Sequence, residues 1–359
     1  MATTIISFVV VIGIIVFVHE LGHFLAAKLS GVRVEVFSLG FPPKMIGHKF
    51  GETEYQLAWI PLGGYVKMSG MSDESFDETI DLKDPRGYTA QPFGKKVFII
   101  TAGVVMNIIL AFVIYALLTW YGGVAKLSGT ALTLVSSYSP AEQAGLKVGD
   151  VIVEIAGQPV TEWEQLTERI RALPGQSTVI GWKRGDSLMS AQITPTSTSE
   201  LNLSTGKSDT VGKIGVLGSF TTEVVGPIKS LGYGAAQVWF VIRINVASVL
   251  ALFSGNAHLS DLTGPIGIAK LSGESARSGW MNFVSFIAMI SVSIGFLNIM
   301  PVPMLDGGHL VFMVIEAIIR KQIPEKIKIN IMKVGLAALI MLVALVSYHD
   351  IVRVFLTKE

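Results

Sequence analysis

Long apolar runs punctuate this chain, and they are too long for an ordinary soluble core. A helix rises 1.5 Å per residue, so crossing about 30 Å of hydrocarbon takes ~20 residues. Four stretches reach that length, at about 5–27, 97–120, 281–299 and 331–352. A fifth candidate, 231–257, is interrupted by Arg243, and an arginine at a helix centre costs ~2.5–3.5 kcal/mol on insertion scales. The pattern therefore predicts four transmembrane helices, with 231–257 lying on or partly in the interface. Between the second and third spans the period changes. Short alternating Val/Ile segments separated by glycine turns predict small strands, and 163–173 reads as an amphipathic helix. Residues 52–60, followed by Gly63-Gly64, predict a hairpin between the first two spans. Residues 196–213, rich in Ser, Thr, Gly and Lys, read as a flexible loop, and the acidic 73–84 as a solvated one.

Composition agrees. The chain has 359 residues, 50% hydrophobic and 15% charged, with a mean hydropathy of +0.57. A net charge of +1 argues against a nucleic-acid partner, which would call for a basic stripe. The first apolar run lacks a basic leader and continues past Val18 into His19 and Glu20, so it reads as an uncleaved span rather than a signal peptide. Lys28 and Arg33 follow span one, Lys95 and Lys96 precede span two, and Arg320, Lys321, Lys326, Lys328 and Lys333 lie between spans three and four. All of them fall on one side, which the positive-inside rule makes cytoplasmic. The N-terminus, 121–280 and the C-terminus are then expected outside.

Cysteine is absent, so any metal must be held by His, Asp or Glu. His19-Glu20-Leu21-Gly22-His23 reads HExxH. Four residues is about one turn, so both imidazoles share a helix face, and the glutamate beside them suits a general base. With six histidines in the chain, chance alone gives this motif in only about one such chain in two hundred. Ionisable groups within a span are costly and point to function. Catalytic zinc takes three protein ligands and a water. Asp306 is the candidate third ligand: Pro301 and Pro303 break the helix before it, and the four-span topology brings it to the same face as His23. A crossing at 231–257 would move it to the opposite face. Asp306 also suits an N-cap of the next helix, and His309, one turn on, is the rival third ligand. Asn107 and Asn298 are intramembrane amides that suit either substrate binding or helix–helix hydrogen bonding. His48, His258 and His349 read as ordinary surface or interface histidines.

Taken together, HExxH in span one, Ile60-Pro61-Leu62-Gly63-Gly64-Tyr65-Val66-Lys67-Met68, Gly103-Val104-Val105-Met106-Asn107 and Asn298-Ile299-Met300-Pro301-Val302-Pro303-Met304-Leu305-Asp306-Gly307 resemble the site-2 protease family (peptidase family M50), and within it the bacterial RseP-like branch. The resemblance implies zinc held by His19, His23 and Asp306, with Glu20 activating the water and Asn298 holding the substrate backbone. It implies hydrolysis of peptide bonds in or near the spans of single-pass membrane proteins, such as anti-sigma factors or remnant signal peptides, at the bacterial inner membrane. Ser139-Pro140-Ala141-Glu142-Gln143-Ala144-Gly145-Leu146-Lys147-Val148-Gly149-Asp150 resembles a PDZ core, with room for one such domain. The expected fold is thus a polytopic α-helical membrane protein with a membrane-associated β-hairpin and an inserted extracytoplasmic α+β PDZ domain. Its parts are 1–120 (first half of the membrane core), 121–220 (PDZ), 221–280 (interfacial helices) and 281–359 (second half). The alternative is a non-catalytic PDZ scaffold in the lipid bilayer.

Overall fold

The computed structural model describes residues 2–71, 84–201, 208–255 and 262–352. His258 and nearly all of the acidic 73–84 stretch lie outside them. The chain divides into two compact units. One comprises 1–118, 231–245 and 258–359, the other 119–230 and 246–257.

In the first unit, α1 (Ala2–Leu29) leads into two long strands, β1 (Val34–Phe50) and β2 (Thr53–Met68), and then α2 (Phe93–Gly122). The two strands fold back on themselves. Val36–Leu39 lies opposite Lys67–Gly64 on one side and Glu54–Leu57 on the other, while Lys44–Phe50 closes an outer hairpin on Ala58–Thr53. At that hairpin's turn, Glu52 accepts from Arg86 at 2.9 Å and Lys28 at 2.8 Å. Hydrogen bonds from both cations, Arg86 foremost, pull its carboxyl down to about 2.

In the second unit, β3 (Val124–Val135), α3 (Pro140–Gln143), β4 (Val151–Ile155), β5 (Gln158–Pro159), α4 (Trp163–Arg171), β6 (Thr178–Arg184), β7 (Ser187–Ile193), β8 (Thr196–Leu201), β9 (Ser208–Lys213) and β10 (Val216–Glu223) follow in order. The main sheet runs β10-β3-β4-β6-β7, with β5 against β4. Ser139 caps α3 through the Glu142 N–H at 3.2 Å, and α4 turns Trp163, Leu166 and Ile170 onto Leu132, Ile152, Ile180 and Trp182. This is the period-3.6 face expected of an amphipathic helix. Buried Asp150 receives Arg184, which holds its carboxyl below the usual range. The expectation of a flexible loop at 196–213 is corrected: β8 and β9 pair antiparallel from Thr196–Lys213 to Leu201–Ser208. Polar composition hid a strand pattern rich in β-branched threonine, with Val211 turned into the buried face.

The chain returns through α5 (Pro227–Phe253) and continues with α6 (Pro265–Arg277), α7 (Trp280–Ile299), α8 (Asp306–Ile319) and α9 (Glu325–Ile351). Among the described residues, five helices are long and apolar enough to cross a membrane: α1, α2, α5, α7 and α9. The fifth, α5, is the segment expected at the interface. It forms one continuous helix because its apolar residues outweigh Arg243, with a mean hydropathy of 1.7 in its most apolar window. Gly234 packs on Ala116 of α2, and Val238 and Val241 join Ala111, Tyr115, Ala288 and Val292 in a buried cluster. Asn245 then donates to Ser293 Oγ at 3.2 Å. Next, α6 packs Gly273 on Thr4, at the start of α1, and its Gly264 and Gly267 N–H groups donate to Asp350 near the end of α9, at 3.2 and 2.8 Å. Contacts of His23 with Ile99 and of His19 with Asn107 run α1 and α2 antiparallel. The start of α5 and all of α6 therefore sit at the same end of this unit, opposite His23.

Candidate metal centre

Three side chains from distant parts of the chain converge. His19 and His23 project from one face of α1, one turn apart, and both are buried. Asp306 opens α8 just after α7 ends at Ile299. Pro301 and Pro303 cannot continue a helix, and the chain between folds back sharply. A Cβ on Gly307 would lie 2.1 Å from the Met300 carbonyl oxygen and 2.3 Å from that of Ile299. Only glycine fits that approach, which explains the glycine after Asp306. The N-cap of α8 is Leu305, with no side-chain cap bond, so Asp306 is not spent on capping. Its Oδ2 is buried without a hydrogen-bond partner among the described residues.

The separations fit a metal. His19 Nε2 and His23 Nε2 are 3.2 Å apart, and Asp306 Oδ2 lies 3.3 Å from the first and 3.5 Å from the second. Zinc bonded at about 2.0–2.1 Å in a tetrahedron demands ligand–ligand edges of roughly 3.3–3.4 Å. Two nitrogens and one oxygen thus form one face of a tetrahedron of the right size, leaving the fourth vertex for water. Among the described residues, these are the His/Asp/Glu ligand atoms that lie together within 4.8 Å. His309 is not in that group; it lines the cavity in front of it.

The second helix forms the back wall. His23 Nδ1 donates to the Ile99 carbonyl at 2.8 Å, which fixes the tautomer and leaves Nε2 free to ligate. Gly103 makes room: a Cβ there would sit 2.3 Å from His23 Nε2 and 2.7 Å from His19 Cε1. Asn107 is fully buried behind His19, with Nδ2 3.4 Å from Nδ1, and Ser291 Oγ donates to its backbone carbonyl at 2.9 Å. Asn107 does not line the cavity, and its side chain meets His19 across the α1–α2 interface. It points to the ring's far side because it lies one turn from Gly103 on the face packed on α1. Neither Gly103's steric role nor the Ile99 carbonyl was foreseen, although the four-residue spacing of Gly103 and Asn107 was visible.

The front is open. A cavity of about 440 Å³ is lined by Glu20, Asn298, Gly63, Gly64, Tyr65 and His309, among others. Asn298 Nδ2 lies 3.1 Å from His19 Nε2. Residues 63–66 reach the site, because the strand pair doubles over and sends 44–58 to its outer edge. His48 is exposed, and His349 meets Tyr348 edge to face.

The comparisons bear on this geometry. The family model "Peptidase family M50" matches residues 7–342. A protein of Rhizobium meliloti named as a zinc metalloprotease is 32% identical, covering 97% of this chain and 96% of its own. One of Clostridium acetobutylicum, likewise named, is 31% identical over 95% of each. The "Regulator of sigma-W protease RasP" of Bacillus subtilis is 27% identical, covering 98% and 99%. The solved PDZ domain of the SdrC-like protein from Listeria innocua matches 25% of this chain and 92% of its own at 26% identity, with a TM-score of 0.20, too low to carry the fold of the second unit. With a matched span covering nearly the whole chain and apolar helices around a zinc-sized donor set, this chain belongs to peptidase family M50 and is an intramembrane zinc metalloprotease of a multi-pass membrane protein class.

Proposed function

We propose that His19, His23 and Asp306 hold the zinc, that Glu20 is the general base, and that the enzyme cuts single-pass membrane proteins within or near their spans. The tetrahedral fit of the three donor atoms carries this reading. Zinc in such a site supplies Lewis acidity and lowers the pKa of a bound water to about 7. The chain does the rest. Glu20, beside the ligands and facing the cavity, takes the proton of the attacking water and returns it to the leaving amine. Asn298 donates its amide to the substrate backbone at the open face. The strand segment at Gly63–Tyr65 runs past Glu20, close enough that a Cβ on Gly64 would meet Glu20 Cγ at 3.0 Å. An unwound substrate can add to this sheet edge, and strand addition presents its carbonyls in extended form.

The proposed topology has four net crossings, α1, α2, α7 and α9. It is supported by the common end shared by the start of α5 and by α6, which leaves α5 with no net crossing whatever its depth. By the positive-inside rule, the basic residues at the span ends support a metal end at the cytoplasmic face and a second unit outside. We read that unit, at about 121–220, as a single PDZ domain that screens substrates. Its motif and its strand order with α4 across the sheet support this. The sigma-W regulator named among the relatives makes an anti-sigma factor one substrate to try.

The test combines metal analysis and cleavage. Full-length protein should carry one zinc. His23→Ala and Asp306→Ala should lose most of it, and Glu20→Gln should keep zinc yet fail to cut a single-pass substrate in membranes. Full zinc in Asp306→Ala, with loss in His309→Ala, would overturn the ligand assignment.

A further inference from the structure

The two zinc ligands on α1 are supported unequally as they stand. His23 Nδ1 faces the Ile99 carbonyl, a group that can only accept. His19 Nδ1 faces Asn107 Nδ2 at 3.4 Å, a group that can only donate. Were this the working arrangement, His19 would carry its proton on Nε2, the atom that points at Asp306 and the metal position. Meanwhile, Asn107 Oδ1 is buried with no hydrogen-bond partner among the described residues. An orphaned buried acceptor gives up the bond that water would have made and is costly. The two ends of an amide have nearly the same shape, and a half-turn of the group exchanges them. That single rotation resolves both mismatches. The oxygen gains a donor, and His19 is held as the Nδ1–H tautomer with Nε2 free for the metal.

We infer that Asn107 is a positioning residue for the metal centre, accepting the Nδ1–H of His19 through its side-chain oxygen as the Ile99 carbonyl accepts that of His23. This rests on the assignment of His19 as a ligand. Both supports come from α2, two turns apart and on either side of Gly103, which admits the rings between them. One helix thereby sets the tautomer and ring plane of both imidazoles. The requirement at position 107 is an acceptor of a proton, not an amide, so a carboxylate meets it and a hydrocarbon does not. Asn107 touches neither water nor substrate, being fully buried.

The test is zinc retention in the full-length protein, measured as metal released to a chelator over time. Asn107→Leu keeps the volume and removes the acceptor; release should quicken by about 10–100-fold, the usual effect of removing such a partner. Asn107→Asp keeps an oxygen facing Nδ1 and should retain zinc within a few-fold of the parent. Ser291→Ala removes the hydrogen bond to the Asn107 backbone carbonyl while leaving the side chain in place, and should also retain zinc. Equal loss in Asn107→Leu and Asn107→Asp, or equal loss in Ser291→Ala, would reduce Asn107 to a helix-packing residue and overturn the inference. So would parental retention in Asn107→Leu. Loss of zinc in His19→Ala is the companion measurement. If His19→Ala keeps its zinc, the ligand assignment fails first, and the two failures are told apart.

Discussion

Gly103→Ala adds one methyl group to a transmembrane helix and should cost the protein its metal. The new Cβ would lie 2.3 Å from His23 Nε2 and 2.7 Å from His19 Cε1, where ordinary contact begins at 3.4 Å. His23 must retreat by about 1 Å, whereas zinc bonds tolerate displacements of only about 0.2 Å. Overpacking of this kind costs about 1–3 kcal/mol. Charged to the liganded geometry, that is a loss of roughly 5- to 150-fold in zinc affinity. Helix propensity works the other way, since alanine is favoured over glycine by about 0.8–1.0 kcal/mol in a helix interior. The metal-free protein should therefore be little destabilised, because unliganded rings can rotate away. The assay is zinc content and chelator competition on purified protein, beside thermal unfolding of the metal-free form. Gly13→Ala is the control: it lies on α1 with nothing within 4 Å of its Cβ, and should keep its zinc. Parental zinc affinity in an active Gly103→Ala protein would refute the steric reasoning.

Other regions give separate expectations. Glu52 has its carboxyl pulled from 4.5 to about 2; a depressed acid stabilises above its unfolded value and loses that contribution as pH falls through the folded one. Thermal stability should therefore drop between pH 4.5 and 2 in the parent and less so in Glu52→Gln, and identical profiles would exclude the clamp. Asp350→Ala strands two glycine N–H groups at the start of α6, and bonds to a charged group are worth about 1.5–3 kcal/mol; unfolding in detergent should show that loss while zinc content, at the other end of the unit, stays normal. The chain has no cysteine, so single cysteines report topology cleanly. Cysteine at Ser197 should label from outside intact cells and cysteine at Ser72 should not, the reverse pattern overturning the orientation.

The legible parts of this protein were those whose information is local. HExxH declares itself because a four-residue spacing and one helical turn coincide. Asp306 follows from counting crossings, and prolines alone do not distinguish a ligand from a cap; the buried Oδ2 without a hydrogen-bond partner among the described residues, and Leu305 at the N-cap, favour the proposed ligand. What stayed hidden depends on which faces meet. Gly103 looks like any glycine until α2 is laid against α1. Asp350 looks like a terminal surface acid until α6 crosses its path. The β8–β9 hairpin is hidden in the sequence because its polar composition masks its β-branched threonines, and the continuity of α5 is hidden because Arg243 interrupts an otherwise apolar helix.

The metal centre is split across the chain in time as well as in space. His19, Glu20 and His23 are made first, and Asp306 follows roughly 280 residues later, a delay of about 15–60 s at ordinary rates of synthesis. During that interval the first two helices and the inserted unit are already emerging, beside other newly inserted chains, with the proposed base present and the proposed third ligand still to come. With Asp306 as the proposed third ligand, a hydrolase that cuts helices in the bilayer would be inert toward its neighbours at the insertion site until its own second half is threaded, and a chain that stalls before α8 would leave behind no protease.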